Sequence, residues 1–225
     1  MLNKQKGDMY GFVTHTWNPI RGKCPHNCPY CYMISFWKIM KSEKQELVDK
    51  ELKAELGEDK FIFVGSSTDM FAKDVPDSWI KEVLRQCNAY PKNKYLFQSK
   101  NPLKMFSYED MMGVGAVLGT TIETNRDTNC DAPNPVERYV EFTRDLAPTH
   151  KKMVTIEPIM DFDLDVMVKW FKDMNPTWVN IGADSKGHKL PEPSPEKVKA
   201  LINELEKFTN VKIKKNLKRI MGDAT

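Results

Sequence analysis

The sequence has no apolar run approaching the roughly 18 to 20 residues that a membrane-spanning helix requires. Its opening stretch, Met1 to Tyr10, is polar and lysine-bearing, without the apolar core of a secretory signal. A cytosolic protein is expected. Charge of one sign is missing too: 34 basic residues stand against 31 acidic ones, a formal net charge of +3, too little by itself to mark a nucleic-acid binder. No fixed-period repeat or low-complexity stretch occurs, which with 40% apolar residues excludes collagen-like, coiled-coil and wholly disordered chains. Cysteine is scarce and odd in number, five in 225 residues. In a chain without an export signal that is not a disulfide framework.

What is present is a regular alternation. A first strand is expected over Gly11 to His15, then a cysteine loop and a helical stretch from Met33 to Leu56 that Gly57 ends. Compact apolar runs follow at Phe61–Val64, Tyr95–Phe97, Ala116–Gly119, Met153–Ile156 and Trp178–Gly182. Each precedes a helical or short polar segment: Pro76 onward with Trp79, Ile80, Val83 and Leu84 on one face, Pro102 to Met112, a helix ending at Leu146, Asp163 to Met174, and Pro195 to Phe208. Val211–Ile213 is a candidate seventh strand. Nearly continuous apolar strands alternating with helices indicate a parallel sheet covered on both faces. Right-handed crossovers then leave an open doubly wound sheet or a barrel, in one domain spanning residues 1–225. The C-terminal edge 207–219 carries Lys207, Lys212, Lys214, Lys215, Lys218 and Arg219 and no acid, as either a solvated surface or a phosphate-contacting edge.

Three of the five cysteines fall in one loop, residues 22–33. Cys24-Pro25-His26-Asn27-Cys28-Pro29-Tyr30-Cys31 is C-x3-C-x2-C with an aromatic residue before the last cysteine. Three thiolates from one short loop can hold three corners of a 4Fe-4S cubane and leave one iron open to a non-protein ligand. Structural zinc wants four ligands, usually as two separated pairs, and there is no second C-x2-C pair; His26 and His15 are the nearest fourth donors. Unligated core cysteines are the remaining reading.

This spacing with its aromatic resembles the signature of the radical S-adenosylmethionine superfamily. Thr16–Gly22, Phe97–Pro102, Leu118–Arg126 and Ile156–Ile159 together resemble a small family often encoded by phages, without an agreed substrate. The resemblance implies a partial (β/α)6 barrel with the cluster loop after the first strand. It implies a 4Fe-4S cluster on Cys24, Cys28 and Cys31, and S-adenosylmethionine chelating the open iron. An electron from a cellular reductant such as flavodoxin or ferredoxin then cleaves the sulfonium, and the resulting deoxyadenosyl radical takes hydrogen from the substrate. Tyr30 joins the cofactor site by the same resemblance.

Ligand groups of parallel α/β proteins gather just past the carboxyl ends of the strands. After the second strand stand Gly65, Ser66, Ser67 and Asp69, cofactor contacts or ordinary turn and cap chemistry; serines and an aspartate replace the superfamily's Gly-Gly-Glu-like segment. Lys100 suits the methionine carboxylate or a substrate anion. Glu123 and Asn125 suit ribose hydroxyls, although neighbouring Arg126 is a possible partner for Glu123. Glu157 is either a pocket residue or the buried partner of a base, and Asp163 reads as a helix cap. Asp184, in a glycine-bracketed loop, is expected to meet adenosine or substrate. Cys130 is either a hydrogen-atom donor or an incidental thiol, Cys87 is packing, and Trp17 should shield the loop. Met160, Met167 and Met174 are read as core filling.

The leading function is a radical enzyme abstracting hydrogen, with a nucleotide or nucleic acid substrate favoured by the cationic edge and the resemblance. Rivals are a non-catalytic iron-sulfur or zinc protein and a methyl or aminocarboxypropyl transferase using the same cofactor. Oligomeric state is left open by the sequence.

Overall fold

The structure is a computed structural model that describes residues 2–5, 7, 9–40 and 44–222. The strands and helices, in chain order, are β1 (Asn3–Lys4), β2 (His15–Trp17), β3 (Ile20–Arg21), α1 (Ile34–Met40), β4 (Glu46–Leu47), α2 (Asp49–Leu52), β5 (Phe61–Val64), α3 (Asp77–Asn88), β6 (Lys94–Gln98), α4 (Pro102–Phe106), β7 (Val117–Thr121), α5 (Pro135–Phe142), β8 (Lys151–Ile156), α6 (Leu164–Met174), β9 (Trp178–Ile181), α7 (Pro195–Leu205), β10 (Asn210–Ile213) and α8 (Lys218–Met221). Among the described residues the main sheet has the order β1-β2-β5-β6-β7-β8-β9-β10. From β2 to β10 every pairing is parallel. A doubly wound sheet reverses its strand order at a switch point. Here the order never reverses, which selects the barrel: this is the partial barrel expected from the sequence, with the seventh strand present.

Alternation sorts each strand's side chains between two cores. Ile62, Val64, Tyr95, Phe97, Leu118, Val154 and Val179 pack outward under the helices, together with Ile80, Val83, Leu84 and Cys87 of α3. Those four α3 residues recur at helical spacing, so one face is buried along its length. Leu96, Val117, Met153 and Trp178 point inward, and Phe61 and Phe63 pack against them. The inward layer is completed by Met9, Tyr10, Phe12 and Val13. Phe12 meets Trp178 edge-on at 5.2 Å and Phe61 at 4.9 Å. From the opposite end of the sheet, Lys212 lies 4.8 Å over the Phe12 ring and Lys214 5.4 Å over Tyr10. The segment therefore plugs the unclosed side of the barrel instead of forming the strand expected over Gly11 to His15, and β2 begins only at its end.

The helix expected from Met33 to Leu56 is also replaced. Residues 41–43 lie outside the described residues, and beyond them β4 pairs antiparallel with β3, Ile20 opposite Leu47 and Arg21 opposite Glu46. The Val48 N–H donates to Pro19 O at 2.8 Å, and Arg21 reaches Glu51 at 2.6 Å. These long-range bonds outweigh the helical propensity of a Lys/Glu-rich segment. Helices α4, α5 and α7 start as their sequences dictate, with Pro at the first turn and Asn101, Asn134 and Ser194 accepting side-chain capping bonds. Asp163 stands at the α6 cap position without capping it; Arg126 and Asn125 take its carboxylate instead.

Lys152 is nearly buried, and its ammonium donates to Phe142 O at 3.0 Å and Met174 O at 3.3 Å, the last carbonyls of α5 and α6. One cation thus terminates two helices, and burial lowers its pKa. Lys152→Met, which keeps the apolar stem, should destabilise the chain by about 2 kcal/mol, because two buried carbonyls lose a charged donor. Denaturant unfolding measures this; an unchanged midpoint would refute the double cap.

Candidate functional site: a three-thiol loop over the barrel mouth

Residues 22–33 leave β3 and fold as a chain of tight turns. Asn27 N donates to Cys24 O, Cys31 N to Cys28 O, and Ile34 N to Cys31 O, at 3.3, 3.1 and 3.1 Å. Gly22, at φ 105°, lies so close to residue 44 that a Cβ would stand 2.1 Å from Lys44 O. Several ties fasten the loop to the barrel, among them the bond of His26 Nε2 to Asp69 Oδ2 at 2.7 Å and that from Asp131 N to His26 O at 2.8 Å. Cys24, Cys28 and Cys31 all line one cavity of about 640 Å³ at the carboxyl ends of the strands. Burial pushes the Cys24 thiol up to about 11 and raises Cys31 as well; a hydrogen bond to Cys130, then burial, raises Cys28. All three thiols are free.

The inward parity of the strands continues up to this cavity and changes chemistry on the way. Leu96 is followed at the same parity by Gln98 and Lys100, Val117 by Gly119, Thr121 and Glu123, and Met153 by Thr155 and Glu157. Tyr10 rises from the plug and donates to Gln98 Oε1 at 2.8 Å while sharing a 2.9 Å bond with Thr155 Oγ1; Gln98 Nε2 donates to Thr121 Oγ1 at 3.0 Å. The cavity therefore has a hydrogen-bonded polar floor resting on an apolar plug.

The rim carboxylates are engaged with the protein itself. Asp69 accepts from His26, Ser99 Oγ at 2.8 Å, Lys100 N at 2.8 Å and Phe71 N at 2.9 Å. Burial alone would raise its pKa, but His26 and these donors hold it below the usual carboxylate range. Glu123 is fully buried: one oxygen takes Tyr30 OH at 2.8 Å and Lys100 Nζ at 2.7 Å, the other Arg138 Nη1 at 2.8 Å. Against the burial penalty, Arg138 and Lys100 bring its carboxyl down to about 2. Glu157 is held by Lys214 at 2.6 Å and Asn216 at 2.8 Å. Gly182 makes room for this group, since a Cβ there would stand 2.7 Å from Glu157 Oε1. Asp184 binds His188 Nδ1 at 2.7 Å and Lys186 N at 3.0 Å within its own loop.

Gly65, Ser66, Ser67, Asp69, Lys100, Glu157 and Asp184 thus line the cavity with the three cysteines and Tyr30. Ser66 Oγ and Ser67 N are both oriented by Asn18 Oδ1, at 3.2 and 2.9 Å. Glu123 sits behind the wall under Lys100. Asn125 is brought elsewhere, bonding Asp163 Oδ2 at 2.9 Å. Arg126 does not pair with Glu123; it bridges Asp161 and Asp163 at 2.5 and 2.8 Å. Cys130 packs with Cys28, Tyr30 and Met160 outside the cavity lining. Trp17 is fully buried in the outer core and does not line the cavity. Of the cationic edge, Lys207, Lys214 and Arg219 pair with Glu204, Glu157 and Glu192, and Lys212 covers aromatic rings.

The model of the family described as "Protein of unknown function (DUF5131)" matches residues 9–211. The chain belongs to this family. No curated protein matches the DUF5131 chain in sequence. Among solved structures, spore photoproduct lyase shares its fold. A doubly substituted form with bound AdoMet and dinucleoside spore photoproduct gives a TM-score of 0.66 at 10% identity, covering 93% of this chain and 78% of that one. The lyase complexed with dinucleoside spore photoproduct gives 0.65 at 10% identity over the same shares.

The sequence reading of this DUF5131 chain missed Tyr10, Thr155 and Arg138, and it named His26 only as a fourth donor for zinc. Thr155 carried a signal: it stands two residues before Glu157 on the same strand face. The others reach the site from separate elements. As donors, three thiols on one loop fit a cubane. Among the described residues no three His, Cys, Asp or Glu side chains gather where a single ion could sit, and a cubane spreads its ligands over three irons. No helix of the described residues is long and apolar enough to cross a membrane.

Proposed function

We propose that this chain is a radical S-adenosylmethionine enzyme acting on a nucleotide or nucleic acid. The observation that carries this is the meeting of Cys24, Cys28 and Cys31 in a single cavity with Gly65, Ser66 and Ser67, over the polar floor of Gln98, Thr121 and Thr155. Cys24, Cys28 and Cys31 hold the 4Fe-4S cluster. The Gly65–Ser67 backbone and hydroxyls, fixed by Asn18, bind the methionyl end of S-adenosylmethionine, and the 183–188 loop covers the adenosine. Once bound, cluster and cofactor supply the one-electron cleavage that begins hydrogen abstraction. The protein binds, orients and excludes water: the plug seals the floor, and the paired rim carboxylates keep the walls fixed.

The substrate class rests on two supports. The lyase of the same fold has been captured with a dinucleoside. At this chain's mouth, exposed Lys186 lines the cavity, and Asn216 bonds Ala183 and Ser185 beside it, bringing the exposed Lys215 and Lys218 to the same loop. A one-electron donor such as flavodoxin or ferredoxin is the required partner.

Anaerobic reconstitution with iron and sulfide, reduction with dithionite and addition of S-adenosylmethionine should yield 5′-deoxyadenosine by mass spectrometry, with or without added oligonucleotide. Cys28→Ala should abolish it, since removing one thiolate leaves too few ligands for the cubane. A wild-type chain that retains zinc and takes up no iron would sink the reading.

A further inference from the structure

The three cysteines of the loop do not have equivalent surroundings. Cys24 and Cys31 receive backbone N–H groups. Cys28 is met by a cation: Lys100 Nζ lies 3.3 Å from its Sγ. An ammonium has three N–H donors, and Lys100 has three acceptors in reach: Cys28 Sγ, Tyr30 OH at 3.2 Å and Glu123 at 2.7 Å. Its Nζ also stands 4.5 Å over the Tyr30 ring. The sequence suggested that Lys100 binds the cofactor's carboxylate or a substrate anion, but its donors are already directed to Cys28, Tyr30 and Glu123. Glu123 in turn is locked by Arg138, itself completely buried. A lysine on the β6 rim is therefore clamped from behind and aimed at one sulfur of the loop.

We propose that Lys100 is a positioning and potential-setting residue for the cluster, donating a charged hydrogen bond to the Cys28 thiolate. The inference rests on the cluster reading above. Hydrogen bonds to cluster sulfurs and the net charge around them set an iron-sulfur potential. A cation against a thiolate favours the reduced, more negative cluster, so Lys100 raises the potential, and Glu123 offsets part of that effect from behind.

The two side chains should therefore act with opposite sign. In the anaerobically reconstituted enzyme, Lys100→Met should shift the midpoint potential to a more negative value, with iron content and S-adenosylmethionine affinity unchanged. Glu123→Gln, which leaves Lys100 charged and removes its counter-charge, should shift it to a less negative value. Lys100→Arg should keep most of the wild-type potential. A general loosening of the site would not produce opposite shifts. The proposal is overturned if Lys100→Met retains the wild-type potential, and above all if it does so while losing affinity for S-adenosylmethionine, the outcome expected of a carboxylate ligand. Should the Met variant assemble no cluster, the wild-type enzyme decides. With lysine side chains labelled with heavy nitrogen, the reduced cluster must show a hyperfine coupling to a lysine Nζ, and its absence also overturns the proposal. A wild-type chain that takes up no iron refutes the cluster reading itself, a result distinct from all of these.

Discussion

Arg138→Met should lower the unfolding free energy by about 3–5 kcal/mol, because it strands a buried carboxylate whose main partner is gone. Arg138 belongs to the buried face of α5, with Pro135 and Phe142, and spans from that helix to Thr121 O at 2.6 Å and Glu123 at 2.8 Å. The removed cation is the largest contributor to holding Glu123 ionised against burial. The double variant Arg138→Met, Glu123→Gln should recover much of the loss, as buried ion pairs replaced together cost far less than pairs broken singly. The same carboxylate gives the wild type an acid limb. Its folded pKa of about 2 lies below the ordinary glutamate value near 4.3, so its contribution is full above that value and is lost as pH falls toward 2. Glu123→Gln should flatten stability over that window. Denaturant midpoints for the three variants, repeated across acidic pH, test both statements; a double variant no better than Arg138→Met would show that the pair is not the source.

Asp69→Ala should reduce the affinity for the proposed 4Fe-4S cluster by about 10- to 100-fold, the usual cost of losing an outer-shell partner. Asp69 supplies no ligand, but its carboxylate joins His26 of the cysteine loop to Ser99 and the Lys100 backbone on the next strand end. Without it the loop loses one of its ties to the barrel, and Lys100 loses the anchor of its own backbone. Iron and sulfide content after limiting anaerobic reconstitution is the measurement. Content equal to wild type at every iron concentration would show that the loop's other ties and its turns hold it unaided.

Much of this architecture can be read in the chain because parallel strands buried on both faces leave compact apolar runs, and because glycine and proline mark their ends. The loop is legible for a different reason: three thiols in eight residues have few structural uses. Legibility fails where a residue's role depends on another element's approach. Nothing near Arg138 announces that it will meet Glu123 under the rim, and Arg126, closer in sequence, was the natural guess. Gly11 to His15 reads as a strand, yet the missing wall of an incomplete barrel claims Phe12 and Val13, and β2 begins only at His15. The Lys/Glu-rich stretch after α1 reads as helix until β3 offers it backbone partners.

The plug also has a temporal consequence. Tyr10 and Phe12 lie under Lys214 and Lys212, so the cavity floor joins residues about 200 positions apart in sequence. Closing so long a loop is entropically unfavourable and rewarded only when most of the barrel already stands. During synthesis the cysteine loop emerges well before β10 and Lys214, which pin the floor. The three thiols are therefore made before the chamber that they line is complete.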